Sequence, residues 1–239
     1  AYSYIFNGRQ DSVLVTISEN GLETTKLLHY YNMMKFNQQL RSTKWNLLED
    51  NIGYVNMGEL EQEDVANMMK EFKTTKALIL DLRGGQAQST YKLISKYIST
   101  EKRNFFKMTT PDFNYPGKFI ELENEKSEAS CKLKYKGKVI LLVNESTQSH
   151  SELTVMCLQN GDNVTTIGSQ TSGADGKVRY LKLHDNYFAK FSGSGIFYPD
   201  GTITQRVGVK IDIIVKPTII GIKAGKDEVL EAAIDFVNE

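Results

Sequence analysis

Cysteine is scarce in this chain: Cys131 and Cys157 alone cannot build a disulfide framework, and their spacing is not that of a zinc-ligand set. No metal is expected, and histidine is limited to His29, His150 and His184, a thin supply that limits any catalytic triad. Net charge is missing as well. The 29 basic and 29 acidic side chains cancel, which removes any general attraction to nucleic acid or to an anionic membrane. The short basic stretch Lys132-Leu133-Lys134-Tyr135-Lys136-Gly137-Lys138 reads as an alternating, solvated strand rather than a phosphate patch. No apolar run approaches the roughly 20 residues of a membrane span. The glycine-bearing loop 168–177 fails as a phosphate loop, because Val178 follows Gly176-Lys177 where serine or threonine is needed and Thr171 stands at the first glycine position. No cofactor is expected. At 239 residues the chain can hold one large core and a small appendage.

What the sequence does contain is concentrated in Asn144-Glu145-Ser146-Thr147-Gln148-Ser149-His150-Ser151-Glu152. It follows the apolar run Val139-Ile140-Leu141-Leu142-Val143, which predicts a strand buried on both faces in a helix-covered parallel sheet. Leu153, Met156, Cys157 and Asn160 then predict an amphipathic helix. Open α/β sheets gather their chemistry at the carboxyl ends of such strands. A hydroxyl at this turn would sit among the unpaired N–H groups of a helix start, which can stabilise an oxyanion. Ser149-x-x-Glu152 is equally a capping box, in which the two side chains only satisfy the helix terminus. Both readings fit the motif. A second buried strand, Ala77-Leu78-Ile79-Leu80, runs into Asp81-Leu82-Arg83-Gly84-Gly85, and a helix is expected near 91–98. Two polar loops therefore reach one sheet edge.

In order along the chain, Asn51-Ile52-Gly53-Tyr54-Val55-Asn56-Met57, then 76–84, then 138–152, then Ile167-Gly168-Ser169-Gln170-Thr171-Ser172-Gly173, Pro199-Asp200-Gly201 and Gly208-Val209-Lys210-Ile211-Asp212 resemble the C-terminal processing peptidases. These are also called tail-specific proteases and share a catalytic core with the tricorn protease. The resemblance implies an α/β fold with a crotonase/ClpP-like core of repeated ββα units. It also implies a serine-type endopeptidase acting on peptides or unfolded protein termini. Ser149 becomes the nucleophile. The backbone N–H of His150 is one oxyanion donor, and the turn at Gly84 and Gly85 supplies another. The family's Asn-x-Pro-Gly-Gly continuation is replaced here by Gly84-Gly85-Gln86-Ala87-Gln88. The processing branch uses a desolvated lysine as base, and the matching position is Ala174. Lys177 is the nearest lysine. The tricorn-type branch pairs histidine with a glutamate, and the corresponding region carries Gln205-Arg206-Val207-Gly208. Lys177 and Gln205 are thus the candidate helpers, and the base is unassigned.

The resemblance also organises the chain. Residues 1–33 read as a truncated hairpin like the end of a PDZ domain, with strands either side of Glu19-Asn20-Gly21. Residues 34–50, with Trp45, read as a connector, and 51–239 as the catalytic core. The alternative is that the early strands belong to the core itself. Within the core, Val65, Met68, Met69 and Phe72 mark a packing helix over 59–73. Residues 103–124, rich in Phe and Tyr, form an irregular or strand-like insertion that lines a groove or packs a sub-core. Residues 178–197 alternate as a hairpin near the site. Leu230, Ala233, Ile234 and Val237 give a closing helix.

Three functions compete: the serine peptidase, a non-catalytic peptide-binding homologue that has lost its base, and an acyl-coenzyme A enzyme on a similar fold. The serine turn and 208–212 favour a peptidase, while Ala174 favours the binding module. The expected partner is a peptide or unfolded protein, with no nucleic acid and no membrane span; oligomerisation is left open. The chain begins at Ala1 with no signal-like stretch and reads as a processed or excised form. A periplasmic, outer-membrane-anchored or secreted bacterial location is what the resemblance implies.

Overall fold

The computed structural model describes residues 12–29, 43–84, 89–122, 124–185 and 187–239. The chain divides into two compact units, 1–42 and 43–239. In the first, β1 (Ser12–Glu19) and β2 (Leu22–His29) pair antiparallel with Glu19 opposite Leu22. Asn20 and Gly21 make the two-residue turn with φ of 53° and 80°, the positive pair that matches the twist of a hairpin.

The second unit is organised by a six-stranded sheet. Its strands are β3 (Trp45–Leu48), β4 (Ile52–Asn56), β5 (Ala77–Asp81), β8 (Lys138–Val143), β9 (Val164–Gly168) and β13 (Ile213–Ile214), in the order β13-β9-β8-β5-β4-β3. All neighbours are parallel except the edge pair β3–β4. Part of the stretch read as a connector, Trp45–Leu48, is therefore an edge strand of this sheet.

The apolar runs are continuous because both faces are covered. Residues alternate across a strand, so Val55, Leu78, Leu80, Leu141 and Val143 meet one helical layer. That layer comprises α1 (Val65–Glu71), α2 (Tyr91–Ile98) and α3 (His150–Leu158). Ile52, Ile79, Ile140, Leu142 and Ile167 face the other way. They pack with Val229, Ala233 and Val237 of α5 (Glu228–Asn238). A short helix, α4 (Ile219–Lys223), precedes it. Separate from this sheet are an antiparallel sheet β12-β6-β7, from Gly195–Phe197, Lys107–Pro111 and Phe119–Glu121, and a hairpin of β10 (Val178–His184) with β11 (Tyr187–Ser192).

Three local expectations are corrected. Residues 132–137 form no strand; the segment bends so that Tyr135 is buried, its hydroxyl 2.8 Å from the Thr75 hydroxyl. The helix after Ser149 is not amphipathic: Ser151, Glu152 and every residue from Thr154 to Leu158 are buried, because α3 lies centrally under the sheet and its neighbours cover it all round. The closing helix buries Val229, Ala233 and Val237 fully, while Leu230 and Ile234 are only half-buried. No helix among the described residues is long and apolar enough to cross a membrane.

Gly168, at the end of β9, has φ 143°, and a Cβ there would lie 1.9 Å from the Val143 carbonyl oxygen. Gly168→Ala should therefore cost about 3 kcal/mol or more, read from urea unfolding. A loss below about 1 kcal/mol would contradict the β8–β9 packing described.

Candidate active site

The carboxyl ends of β5, β8 and β9 deliver three loops to one edge of the sheet. Parallel pairing sets β5 beside β8 and β8 beside β9, so the loops begin side by side. The first two are fastened directly: the Leu82 N–H donates to Leu142 O at 3.0 Å, and the buried Thr147 hydroxyl donates to Leu82 O at 3.0 Å. Thr147 Oγ1 in turn accepts the Asn144 N–H at 3.1 Å.

Ser149 stands at the N-cap of α3 with φ 53° and ψ −117°. An ordinary N-cap residue is extended; this conformation is strained for a side chain that carries a Cβ. The capping box is nevertheless present, with the Ser149 N–H donating to Glu152 Oε2 at 3.0 Å. The capping-box reading of the motif is therefore borne out. Among the described residues no hydrogen bond takes up the next backbone N–H, that of His150. The His150 ring is directed elsewhere. Its Nε2 lies 3.2 Å from Ser89 Oγ, and it meets the Tyr91 ring edge-on at 5.6 Å. Burial lowers its pKa.

Glu152 does more than cap. Its carboxylate is 0% exposed and accepts three further hydrogen bonds from the loop after β9. The Thr171 hydroxyl and the Gly173 N–H donate to Oε1 at 2.6 and 2.8 Å, and the Ala174 N–H donates to Oε2 at 3.0 Å. The segment 204–209 closes over this loop. Arg206 N donates to Gly173 O at 2.6 Å, and the Val209 N–H donates to Thr171 Oγ1 at 3.0 Å.

On the other flank, Arg83 is clamped between Asp81 and Asp227. Its Nη2 lies 2.7 Å from Asp81 Oδ2 and 2.8 Å from Asp227 Oδ2, and its Nη1 lies 2.7 Å from Asp227 Oδ1. The Tyr54 hydroxyl donates to Asp81 Oδ2 at 2.7 Å. Asp227 also caps α5 through the Leu230 N–H. The residue after this clamp is Gly84; Gly85 lies outside the described residues.

The two candidate helpers occupy different surroundings. Lys177 is exposed at the foot of the β10–β11 hairpin. Gln205 is half-buried and donates from Nε2 to Asp175 O at 2.9 Å and to Ser194 O at 2.8 Å, so its amide splices two loops together. The residue that sequence reading passed over is Asp175. It is 7% exposed. Its Oδ1 accepts the Gly176 N–H at 2.7 Å, while Oδ2 is buried with no partner among the described residues. Burial pushes this carboxyl up to about 6, assisted by the charge of Glu152 and opposed by the Gly176 N–H. An aspartate followed by glycine reads as a turn residue, and no sequence signal reports its burial. Cys157, inside α3, is pushed up to about 12 by burial and is an apolar filler. Among the described residues no cluster could hold a metal.

Gln205 also borders a cleft of about 540 Å³ lined by Thr109, Pro111, Phe119, Phe191 and Phe197. The aromatic insertion and the hairpin thus meet beside the loop that Glu152 holds.

Because folding raises the Asp175 pKa from about 3.8 to about 6, the folded state holds this proton more tightly than the unfolded chain. Stability therefore falls as pH rises from about 4 to about 6, by up to about 3 kcal/mol. Asp175→Asn should stabilise the fold by up to that amount at pH 8 and by little at pH 4. Urea unfolding at the two pH values checks this; an equal effect at both would contradict it.

The chain has counterparts in sequence and fold among known proteins. A curated carboxy-terminal-processing protease of Bartonella bacilliformis is 22% identical over 196 residues, covering 74% of this chain and 42% of that protein; the chain thus spans less than half the length of this relative. A candidate peptidase from Parabacteroides merdae superposes with a TM-score of 0.71 at 21% identity, over 93% of this chain and 76% of that one. Mature CPAF complexed with lactacystin gives 0.67 at 12% identity, over 95% and 68%. The photosystem II D1 C-terminal processing protease gives 0.52 at 15%, over 87% and 56%. These structures share the mixed α/β fold. The model of peptidase family S41 matches residues 51–215, the span that carries all three loops of the sheet edge, and the chain belongs to that family of serine-type peptidases.

Proposed function

We propose that this chain carries the centre of a serine-type endopeptidase that cleaves peptides or unfolded protein termini through a Ser149 acyl-enzyme. The observation that carries the reading is the strained Ser149 conformation at the junction of β8 and α3, held by Glu152. A serine that merely capped a helix would need no such backbone. Attack by Oγ on a peptide carbonyl would place negative charge on its oxygen. The His150 N–H is one donor for that oxyanion and the Gly84–Gly85 turn the other. Gln205 contributes by fixing the 175 and 194 segments, and Lys177 by charge at the rim of the site.

The substrate lies in the aromatic cleft, whose three phenyl rings favour a large apolar side chain. The hairpin of β1 and β2 is PDZ-like, residues 51–239 form a crotonase-like core, and the protein works in the bacterial envelope or outside the cell. A non-catalytic peptide-binding role is the second reading, favoured by Ala174 at the position where the resemblance expects lysine.

A fluorophosphonate probe should label wild-type protein at Ser149, with mass mapping to that residue, and leave Ser149→Ala unlabelled while a peptide library is cleaved only by the former. Folded wild-type protein that neither labels nor cleaves would overturn the peptidase and leave peptide binding. For the cleft, the exposed rings of Phe119 and Phe191 can be removed with little effect on folding. The double change to serine should lower kcat/KM for peptides with an aromatic residue near the scissile bond about tenfold, sparing peptides with small residues there. Equal losses for both classes would place the aromatic subsite elsewhere.

A further inference from the structure

We propose that Asp175 is the acid–base group of this site, accepting the Ser149 hydroxyl proton during attack and delivering it to the leaving amine. The proposal rests on the serine-peptidase reading and fills the role that it leaves unassigned.

Position is the first argument. The N–H groups of Ser149 and Ala174 donate to the same atom, Glu152 Oε2, each at 3.0 Å. Their nitrogens are therefore no more than twice that distance apart, and Asp175 is the next residue along. Its backbone is fixed independently, since the carbonyl accepts the Gln205 amide at 2.9 Å. Asp175 Oδ2 makes no hydrogen bond to the serine hydroxyl in the resting structure, and rotation about the two side-chain bonds on this fixed backbone is the movement that would bring the two within reach.

Chemistry is the second. Asp175 Oδ2 is buried without a partner, and a buried carboxyl oxygen left unpaired is costly unless it is used. Glu152 is saturated, with four donors on its two oxygens, and has no free position for a proton in flight. Two neighbouring buried carboxylates, one fully bonded and one open, divide the labour: the first holds the turn and the second exchanges the proton. Glu152 from α3 is the charged group bearing on Asp175. Gln205 and Ser192, which approach its carbonyl, are neutral.

The step balances without any further reagent. As Ser149 Oγ bonds to the peptide carbonyl carbon, its proton passes to Asp175 Oδ2 and the carbonyl π pair moves to oxygen. Collapse of the tetrahedral species breaks the C–N bond, and the nitrogen takes the proton from Asp175. Water then attacks the ester, giving its proton to Asp175, which returns it to Ser149 Oγ as the acid leaves.

The test is the pH dependence of labelling by the fluorophosphonate probe. In wild-type protein the rate should rise through an apparent pKa near 6. Asp175→Asn, which keeps an acceptor for Gly176, should label at least about a hundredfold more slowly with that rise abolished. Asp175→Ala should regain part of the rate in added formate, a response that a structural role would not give. Wild-type-like labelling of Asp175→Asn, or slow labelling that keeps the rise near 6 and ignores formate, would overturn the assignment alone. Wild-type protein that does not label would overturn the peptidase reading, and the role of Asp175 with it.

Discussion

One buried carboxylate holds the centre of this protein in register. Glu152 links the turn after β8 to the loop after β9 through four hydrogen bonds and has no contact with solvent. Everything at the sheet edge depends on it. A carboxylate in a dry interior is unfavourable unless its oxygens are satisfied, so the loop 171–174 must arrive with its donors aligned or not at all. That requirement gives Ser149 its backbone. The strain at φ 53° is sustained because the serine N–H is held by the same oxygen that holds Ala174.

A second charged cluster supports the other side. Arg83 lies between Asp81 and Asp227 with Tyr54 completing the set, so the turn after β5 is tied to the cap of the last helix. The two clusters differ in what they fix. Glu152 orders backbone against backbone, whereas the planar guanidinium fixes an angle between the turn after β5 and α5.

How much of this could be read in the sequence follows from which interactions are local. The strands at 77–81 and 138–143 were legible because both faces are covered, and burial on both faces leaves an unbroken apolar run. The strand-to-helix turn at Ser149 was legible because a strand, a polar turn and a helix start are contiguous. The hairpin turn at Asn20-Gly21 was written in residue types that tolerate positive φ. Segments whose structure is set from a distance were not legible. The alternating stretch 132–137 has the period of a strand, but Tyr135 is drawn inward by Thr75, 60 residues away. The residues after Ser149 looked amphipathic because Glu152 and Thr154 are polar, and their burial depends on partners found only after folding. Asp175 is the extreme case. Its environment is made by Glu152, Gln205 and the Gly176 N–H, so nothing in Gly173-Ala174-Asp175-Gly176 distinguishes it from a solvated turn.

The Arg83–Asp227 clamp has a consequence in time as well as in space. The two residues are separated by 144 positions, so the clamp cannot close on a growing chain until the last helix has left the ribosome. Up to then Leu82 is tied to Leu142 and Thr147, but the Arg83 guanidinium has only the Asp81 side of its clamp. The strands and the serine turn are synthesised well before this tie, so the turn after β5 gains its second carboxylate after them. A nascent chain would therefore carry the Ser149 turn before the flank formed by the turn after β5 has been clamped.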